Sequence, residues 1–353
     1  MHTLRLVVDP ESLSSESSRS SISRAAEILR TGGTVALPTE TVYGLGANAL
    51  DASAIAKIFA AKQRPSWDPL IVHISDTEML KRVTASIPES AEKLIHMFWP
   101  GPLTLLLPKS EAVPAAVTAG RPRVGVRMPR HPVAHAVIRE AGVPVAAPSA
   151  NRFGRISPTT ADHVAEDLDG RINAILDSGE TTHGLESTVI DVCEIPCVVY
   201  RPGVISLEQI RDAGVDAVLF QEAKGAQNAE PAALPSPGVG LRHYAPKARL
   251  ILIDGEGETQ MNAFAEAVRQ AKQSGTKLGV MLPDAFEQAV TTENAFIYRW
   301  GKWRDAEELA QRLFAGLRFL DKAGAETILC PLPSGAGIGA AIRDRLLKAA
   351  RKE

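Results

Sequence analysis

Cysteine is scarce in this sequence. Cys193, Cys197 and Cys330 are the only three among 353 residues. So sparse and odd a set argues against a disulfide scaffold and points to reduced thiols. Cys193 and Cys197 have no second Cys or His pair nearby, so no zinc site is expected there. Aromatic residues make up 5% of the chain, and they do not interleave with basic ones as a nucleic-acid stacking surface would require. Net charge is −2, so no global field pulls the chain toward a polyanion, and any polyanion site must be a local cluster of basic residues. There is no apolar run of eighteen residues, so no transmembrane helix is expected. Residues 9 to 23 are Ser-rich with mixed charge rather than apolar. No signal peptide and no membrane association are therefore read, and a cytoplasmic location is expected.

Familiar catalytic signatures are missing too. There is no G-x-G-x-x-G, no Gly-rich loop ending in Lys-Ser or Lys-Thr, and no G-x-S-x-G. His131 and His135 are four apart, but the intervening "PVA" lacks the glutamate of a zincin, so no metal site is expected there. His183 and His243 stand alone and read as surface or turn residues.

What remains is ordinary in bulk and specific in detail. Apolar residues are 45% and charged residues 23%, enough for two or three domains with sizeable cores. The first half mixes elements without strict alternation. Helices are expected near 22–30, 51–62, 91–99, 132–140 and 159–168. Strands are expected near 34–37, 70–74, 103–107, 124–128, 173–177, 187–192 and 197–200. That pattern predicts an α/β domain with a mixed sheet. Residues 222 to 246 are rich in Ala, Pro and Gly without periodicity, as in a linker. Beyond them, strands at 249–254, 277–282 and 327–332 alternate with helices near 259–273, 305–321 and after Gly339. Such βα units predict a small Rossmann-like three-layer domain. The basic tail "RDRLLKAARK" reads as a solvated helix face.

Several stretches stand out. "LPTETVYGLGAN" (37–48) follows a strand with glycine and threonine packed together, yet carries no phosphate-loop lysine. "KQRPSWDP" (62–69) puts Lys62 and Arg64 at a helix C-terminus. There they either complement the helix dipole or grip phosphates. "APSANRFGRISP" (147–158) is either a polar ligand loop or a hydrogen-bonded turn. Arg121, Arg123, Arg127 and Arg201 fall at strand ends. There they either capture carboxylate or phosphate groups or stay solvated. "EST" (186–188) opens a strand.

Taken in order, "PTETVYGLG", "KxR" at 62–64 followed by "PLIVHI", "PSAN", "EST" and "RPG" at 201–203 closely resemble the YrdC-domain family. The βα units behind "SPGVGLRHYAPKA" are similar to its long two-domain form. The resemblance spans roughly residues 15 to 350. It implies an α/β YrdC-like domain with a twisted mixed sheet over 15–215, a linker or lid over 216–247, and a smaller Rossmann-like βα domain over 248–353. It also implies a reaction, in which L-threonine, bicarbonate and ATP give L-threonylcarbamoyladenylate and pyrophosphate. Threonylcarbamoyl-transferase proteins would then modify tRNA, with a weak direct tRNA contact as a further expectation. A non-catalytic RNA-binding module and a carbamoyl-transfer relative are the alternatives weighed.

By the same resemblance, Thr41, His73, Arg127, Ala147 and Ser187 contact L-threonine. Lys62 and Arg64 act on the triphosphate. Asp68, Arg123, Ser149, Asn151, Ser157, Arg201 and Tyr244 join them around ATP, with Tyr244 folding over as a lid. No metal ligand comes from the protein; Mg²⁺ is expected on the triphosphate, held mainly by its oxygens. Asp68 departs from the asparagine common at its position. Glu40 either orients the threonine ammonium or ties down the turn. Tyr43 is expected as a pocket wall, and Gly44 and Gly46 as points of close backbone approach to ligand. Arg64→Ala is expected to cripple ATP use and leave the fold intact.

Overall fold

The structure is a computed structural model that describes residues 2–221, 234, 236, 243–289 and 294–351. Most of the expected linker, residues 222–233, 235 and 237–242, lies outside the described residues. The chain divides into two compact units. Of the described residues, the first unit holds 2–153, 158–182, 186–221, 234 and 236; the second holds 154–157, 183–185 and 243 onward.

The first unit contains, in order, β1 (Leu4–Val7), α1 (Glu16–Arg30), β2 (Val35–Leu37), β3 (Gly44–Asn48), α2 (Ala52–Lys62), β4 (Ile71–His73), α3 (Thr77–Val83), α4 (Glu89–Phe98), β5 (Leu103–Pro108), α5 (Ala115–Thr118) and β6 (Arg123–Arg127). It continues with α6 (Pro132–Ala141), β7 (Val145–Ala146), α7 (Ala161–Leu168), β8 (Ala174–Asp177), β9 (Thr188–Asp191), β10 (Cys197–Arg201), α8 (Leu207–Asp212) and β11 (Ala217–Leu219). Among the described residues its strands form one mixed sheet in the order β1-β8-β2-β3-β7-β4-β6-β5-β9-β10-β11.

Local chemistry sets the helix ends. Asp51 caps α2 by accepting from the N–H groups of Ser53 and Ala54, and Gln63 ends it in the left-handed conformation. Thr160 caps α7. The Ser-rich stretch proves more ordered than its composition suggests: Ser15 caps α1, which begins at Glu16 rather than near residue 22. β1 and β11 lie at the two edges of the sheet and were not expected. Ala217–Leu219 falls within the stretch read as linker, yet pairs in parallel with β10.

The sheet's two faces have different characters. Registers align Ile71 with Gly125, His73 with Arg127, Leu106 with Gly125, Thr104 with Val189 and Arg201 with Val189. Aligned residues share a face, and neighbours along a strand alternate. One face is therefore Val72, Val124, Val126, Leu105 and Ile190, all in the main hydrophobic core. The other presents His73, Arg127, Thr104, Ser187 and Arg201 around a small apolar patch of Ile71, Leu106, Val189 and Tyr200.

The second unit contains β12 (Arg249–Ile253), α9 (Gly257–Gln273), β13 (Leu278–Pro283), β14 (Phe296–Gly301), α10 (Ala306–Lys322), β15 (Thr327–Pro331) and α11 (Ile338–Ala349). Its four described strands are parallel, in the order β12-β15-β13-β14. Leu278, Val280 and Leu282 of β13 pack with Phe264 and Val268 of α9. Gly279 and Met281 face α10, at Leu320 and Gly316. The expected three-layer βα arrangement is therefore present, with β14 as an unforeseen strand.

The tail is not a solvated helix face. Arg345 and Lys348 of α11 are buried, each within reach of the Asp344 carboxylate. The Arg345 guanidinium also lies over the Tyr244 ring, 5.2 Å from its centroid. A basic run looks solvated in sequence because its acidic and aromatic partners cannot be seen there. Among the described residues, no helix is long and apolar enough to cross a membrane.

Candidate active site

The stretch 38–43 joins β2 to β3, which pair antiparallel with Leu37 opposite Gly44. Thr39 ties this loop. Its hydroxyl donates to the Val42 carbonyl at 2.6 Å, meets the Thr41 hydroxyl at 2.8 Å, and accepts from the N–H groups of Thr41 and Val42. Tyr43 is not a pocket wall: its ring sits in the core and its hydroxyl donates to the Gly179 carbonyl. Gly44 has a role other than the one expected. A Cβ there would stand 3.1 Å from that of Ala147, so the glycine admits the loop 147–149 rather than a ligand.

Thr41, Glu40, His73 and Arg127 meet at the end of β4 and β6. The Arg127 guanidinium donates to the Thr41 hydroxyl at 2.8 Å and to the Gly101 carbonyl at 3.1 Å, and lies 2.7 Å from a Glu40 oxygen. Both side chains of the Glu40–Arg127 pair are at most 5% exposed. Burial pushes the Glu40 carboxyl up, but the Arg127 charge and hydrogen bonding outweigh it and hold it down at about 2. Burial, followed by the Arg127 charge, lowers His73 to about 3, so its imidazole is neutral. Burial also lowers His131, at the start of α6, against the opposing pull of Glu40. The net charge of this group is therefore zero.

Lys62 and Arg64 form a second group. Lys62 is fully buried at the end of α2, and its ammonium donates to the carbonyls of Ser149 at 2.6 Å and Asn151 at 2.5 Å. Those bonds fasten the loop 149–151 to the helix. Burial, followed by the like charge of Arg64, pushes the Lys62 ammonium well below its ordinary range. Arg64 donates to the carbonyls of Asp68 and Pro69, and its guanidinium pairs with the Asp68 carboxylate at 2.9 Å. Burial raises Asp68, while Arg64, Lys62 and Arg201 pull it back. Three cations thus surround one carboxylate. The carboxylate that replaces the common asparagine is accounted for as the partner of Arg64.

Ser187 stands on the face these groups share. Its hydroxyl meets that of Thr104 at 2.8 Å and accepts from Arg201 at 3.2 Å, while Arg201 also donates to the Ser187 carbonyl. Gly203 allows this approach: a Cβ there would lie 2.3 Å from the Thr188 nitrogen and 2.5 Å from the Ser187 carbonyl carbon. Ala147 donates its N–H to the Ile71 carbonyl, which sets the loop beside β4.

The remaining expected residues sit apart from these contacts. Arg123 shares the face with Arg127 but lies four residues earlier on β6, about 13 Å along the strand. Its guanidinium pairs with Asp191 at 2.9 Å and Glu194 at 2.7 Å. Ser157 is buried and belongs to the second unit. In that unit Ala245 donates to the Gly154 carbonyl and Arg318 to that of Ile156. Tyr244 also belongs there. Buried with φ +61°, its ring stacks on Phe314 at 5.7 Å and is met by His243 at 4.4 Å. His243 is therefore a buried residue, not a surface one.

Thr39 and Thr104 belong to the site's framework without having been singled out, and His131 was weighed only as a metal ligand. Thr104 alone left a trace: it is one hydroxyl in the apolar strand "LTLLLP", in phase with the face that carries the site.

Comparison with known proteins agrees with this geometry. A family model described as telomere recombination (Sua5, YciO and YrdC) matches residues 27–203. One described as the threonylcarbamoyl-AMP synthase C-terminal domain matches residues 205–351. The threonylcarbamoyl-AMP synthase of Pyrococcus abyssi is 44% identical over 92% of this chain and 92% of its own. That of Bacillus subtilis is 43% identical over 93% and 92%. The crystal structure of P. abyssi Sua5 complexed with L-threonine superposes with a TM-score of 0.90, at 42% identity over 99% of this chain and 98% of that one. A P. abyssi Sua5 variant with one histidine and one tyrosine replaced by alanine superposes with a TM-score of 0.89. The chain belongs to the Sua5/YciO/YrdC family, in the form that carries the threonylcarbamoyl-AMP synthase C-terminal domain.

Proposed function

We propose that this protein is a nucleotidyltransferase that forms L-threonylcarbamoyladenylate and pyrophosphate from L-threonine, bicarbonate and ATP. The observation that carries this reading is the pairing of two unlike groups on one side of the sheet. A neutral pocket of Glu40, Thr41, His73 and Arg127 suits a zwitterion. A cluster of Lys62, Arg64 and Arg201 gathers around the Asp68 carboxylate and suits a polyphosphate.

The chemistry needs little covalent help. The threonine ammonium first gives up a proton; the free amine then attacks the bicarbonate carbon, an N–C bond forms, a C–O bond breaks, and the oxygen leaves as water to give the carbamate. A carbamate oxygen then attacks the α-phosphorus of ATP; an O–P bond forms, the bond to the β-phosphate oxygen breaks, and pyrophosphate leaves. The protein's task is to hold three anions in line and offset their charge. Arg127 takes the threonine carboxylate, Thr41 and Ser187 its hydroxyl side, and His73 and Ala147 its flanks. Lys62, already gripped by two carbonyls, has one N–H left to direct at a phosphate. Arg64 meets the triphosphate, with Ser149 and Asn151 positioned through Lys62 and Arg201 held beside Ser187. Ser157 and Tyr244 serve the nucleotide, Tyr244 as the lid. Asp68 is taken up by Arg64, which fits Mg²⁺ arriving on the triphosphate with phosphate and water ligands and partly neutralising it. The product passes to threonylcarbamoyl-transferase proteins that modify tRNA, in the cytoplasm.

The test is pyrophosphate release from ATP with L-threonine and bicarbonate supplied or withheld. Release that needs all three supports the reading. Release indifferent to threonine, or none under any condition, overturns it.

A further inference from the structure

Glu40 pairs with Arg127 and feels the backbone N–H groups of Arg130 and of Glu40 itself. Thr39 ties the loop around it through both its hydroxyl and the N–H groups it accepts from, so the turn does not depend on the Glu40 carboxylate. Yet an ionised carboxylate is kept buried beside Arg127. Among the described residues, neither Glu40 oxygen nor Arg127 Nη2 makes a well-directed hydrogen bond, although all three atoms are buried. The contact between the two side chains is a close ion pair and not a satisfied network. Buried polar edges left this way are costly and mark a place where a ligand completes the bonding.

We infer that Glu40 is the ammonium-binding residue of the amino-acid pocket, paired with Arg127 so that the two side chains complement the α-ammonium and α-carboxylate of one free amino acid. The assignment rests on reading this pocket as the threonine site. It fits the charge balance. Glu40 and Arg127 cancel, and a zwitterion enters without changing the sum. His73 and His131 flank the pair, their Nδ1 atoms buried without a hydrogen bond among the described residues, and burial disfavours the charged form of both imidazoles, so they add no cation beside that of Arg127.

The same carboxylate then acts on the next species. Once the amine carries a carboxyl group it is an anion, and Glu40 repels it. Repulsion from Glu40 and attraction to Lys62 and Arg64 both favour orienting the carbamate toward the phosphates. Glu40 would thus select a free amino group and afterwards release it in the useful direction.

The test compares two ligands. L-Threonine carries the ammonium, whereas (R)-3-hydroxybutyrate keeps its carboxylate and hydroxyl and lacks the amine. Loss of one charge-assisted contact weakens binding by about 10- to 100-fold. Binding of both is measured by calorimetry for the wild type, Glu40→Gln and Glu40→Asp, with ATP-analogue affinity as the control for folding. The expected result is a wild type that prefers threonine about 10- to 100-fold, a Glu40→Gln that binds both alike, and partial recovery of preference in Glu40→Asp. Affinity for the ATP analogue stays unchanged throughout, and that for the hydroxybutyrate holds or rises in Glu40→Gln, where no carboxylate repels it. Equal weakening of both small ligands by Glu40→Gln, or undiminished preference for threonine, overturns the assignment. A wild type that binds no threonine overturns the reading of the pocket itself, and this assignment with it.

Discussion

Replacing Arg64 by alanine separates the two tasks of that side chain. The sequence expectation was loss of ATP use with an intact fold. The structure changes the second half. Arg64 and Asp68 are 4% and 1% exposed at the side chain and 2.9 Å apart. Removing Arg64 takes away the nearest cation and leaves Asp68 with Lys62 and Arg201, at a cost approaching the roughly 3–5 kcal/mol of a broken buried pair. In a domain of about 150–250 residues each kcal/mol moves Tm by about 2–4 °C, so Arg64→Ala is expected to melt about 10 °C lower. Adding Asp68→Asn removes that carboxylate charge and should restore most of that loss. ATP use behaves differently. Losing a charge-assisted phosphate contact raises KM for ATP about 10- to 100-fold, and the Asp68 carboxylate, without Arg64, repels the triphosphate further. The double variant therefore regains stability and only part of its ATP use. Thermal unfolding and threonine-dependent pyrophosphate release read the two effects on the same samples. An Arg64→Ala protein as stable as the wild type would show that the ion pair contributes nothing net. A double variant with wild-type KM for ATP would show that Arg64 never meets the phosphates.

Three further outcomes are expected. His73 has its folded pKa depressed to about 3 from 6.5, so the unfolded chain binds the extra proton first, and the stability present above pH 6.5 is lost as pH falls toward 3. At pH 5 that one group removes about 2 kcal/mol, and His73→Gln should flatten the denaturant-midpoint curve between pH 7 and 5; an unchanged slope would contradict it. Gly203→Ala drives a methyl into the backbone at Ser187 and Thr188. It should cost about 1–3 kcal/mol or more and raise KM for threonine, and a fully stable, fully active variant would show that the approach relaxes freely. Arg345→Met leaves Asp344 with Lys348 alone and strips the cation from the Tyr244 ring. It should destabilise the second unit by about 3–5 kcal/mol without changing calorimetric threonine affinity, and weakened threonine binding would count against it.

The sequence made the elements and their order legible because each is written locally. Alternation in "RVGVR" puts Val124 and Val126 on one face and Arg123, Gly125 and Arg127 on the other. Asp51 and Thr160 announce their helices as caps. The Gly-rich stretch without a phosphate-loop lysine signals a hairpin loop that serves something other than phosphate. What stayed hidden depends on partners far along the chain. Tyr43 looked like a pocket residue until Gly179 claimed its hydroxyl. The tail looked solvated because nothing local reveals Tyr244 over Arg345. β1 is invisible as four alternating residues; it exists because β8 offers an edge.

The site follows the same division, and its charges explain why. A chain of net charge −2 cannot attract three anions as a whole, so it must concentrate cations where they are needed and neutralise them elsewhere. Arg123 and Arg127 show both choices on one strand. Arg123 is quenched by Asp191 and Glu194, so it adds little field. Arg127 is matched by one carboxylate in a dry pocket, where the pair keeps unsatisfied edges. Lys62, Arg64 and Arg201 all act on the Asp68 carboxylate, so cations gather at this point of the face. Counting arginines in a sequence cannot distinguish these cases, because each is decided by how many carboxylates the fold delivers to that arginine. The local ratio of acid to base is therefore what divides this face of the sheet. On the proposed function, the Glu40–Arg127 pair serves the zwitterion and the side with Lys62, Arg64 and Arg201 serves the polyphosphate.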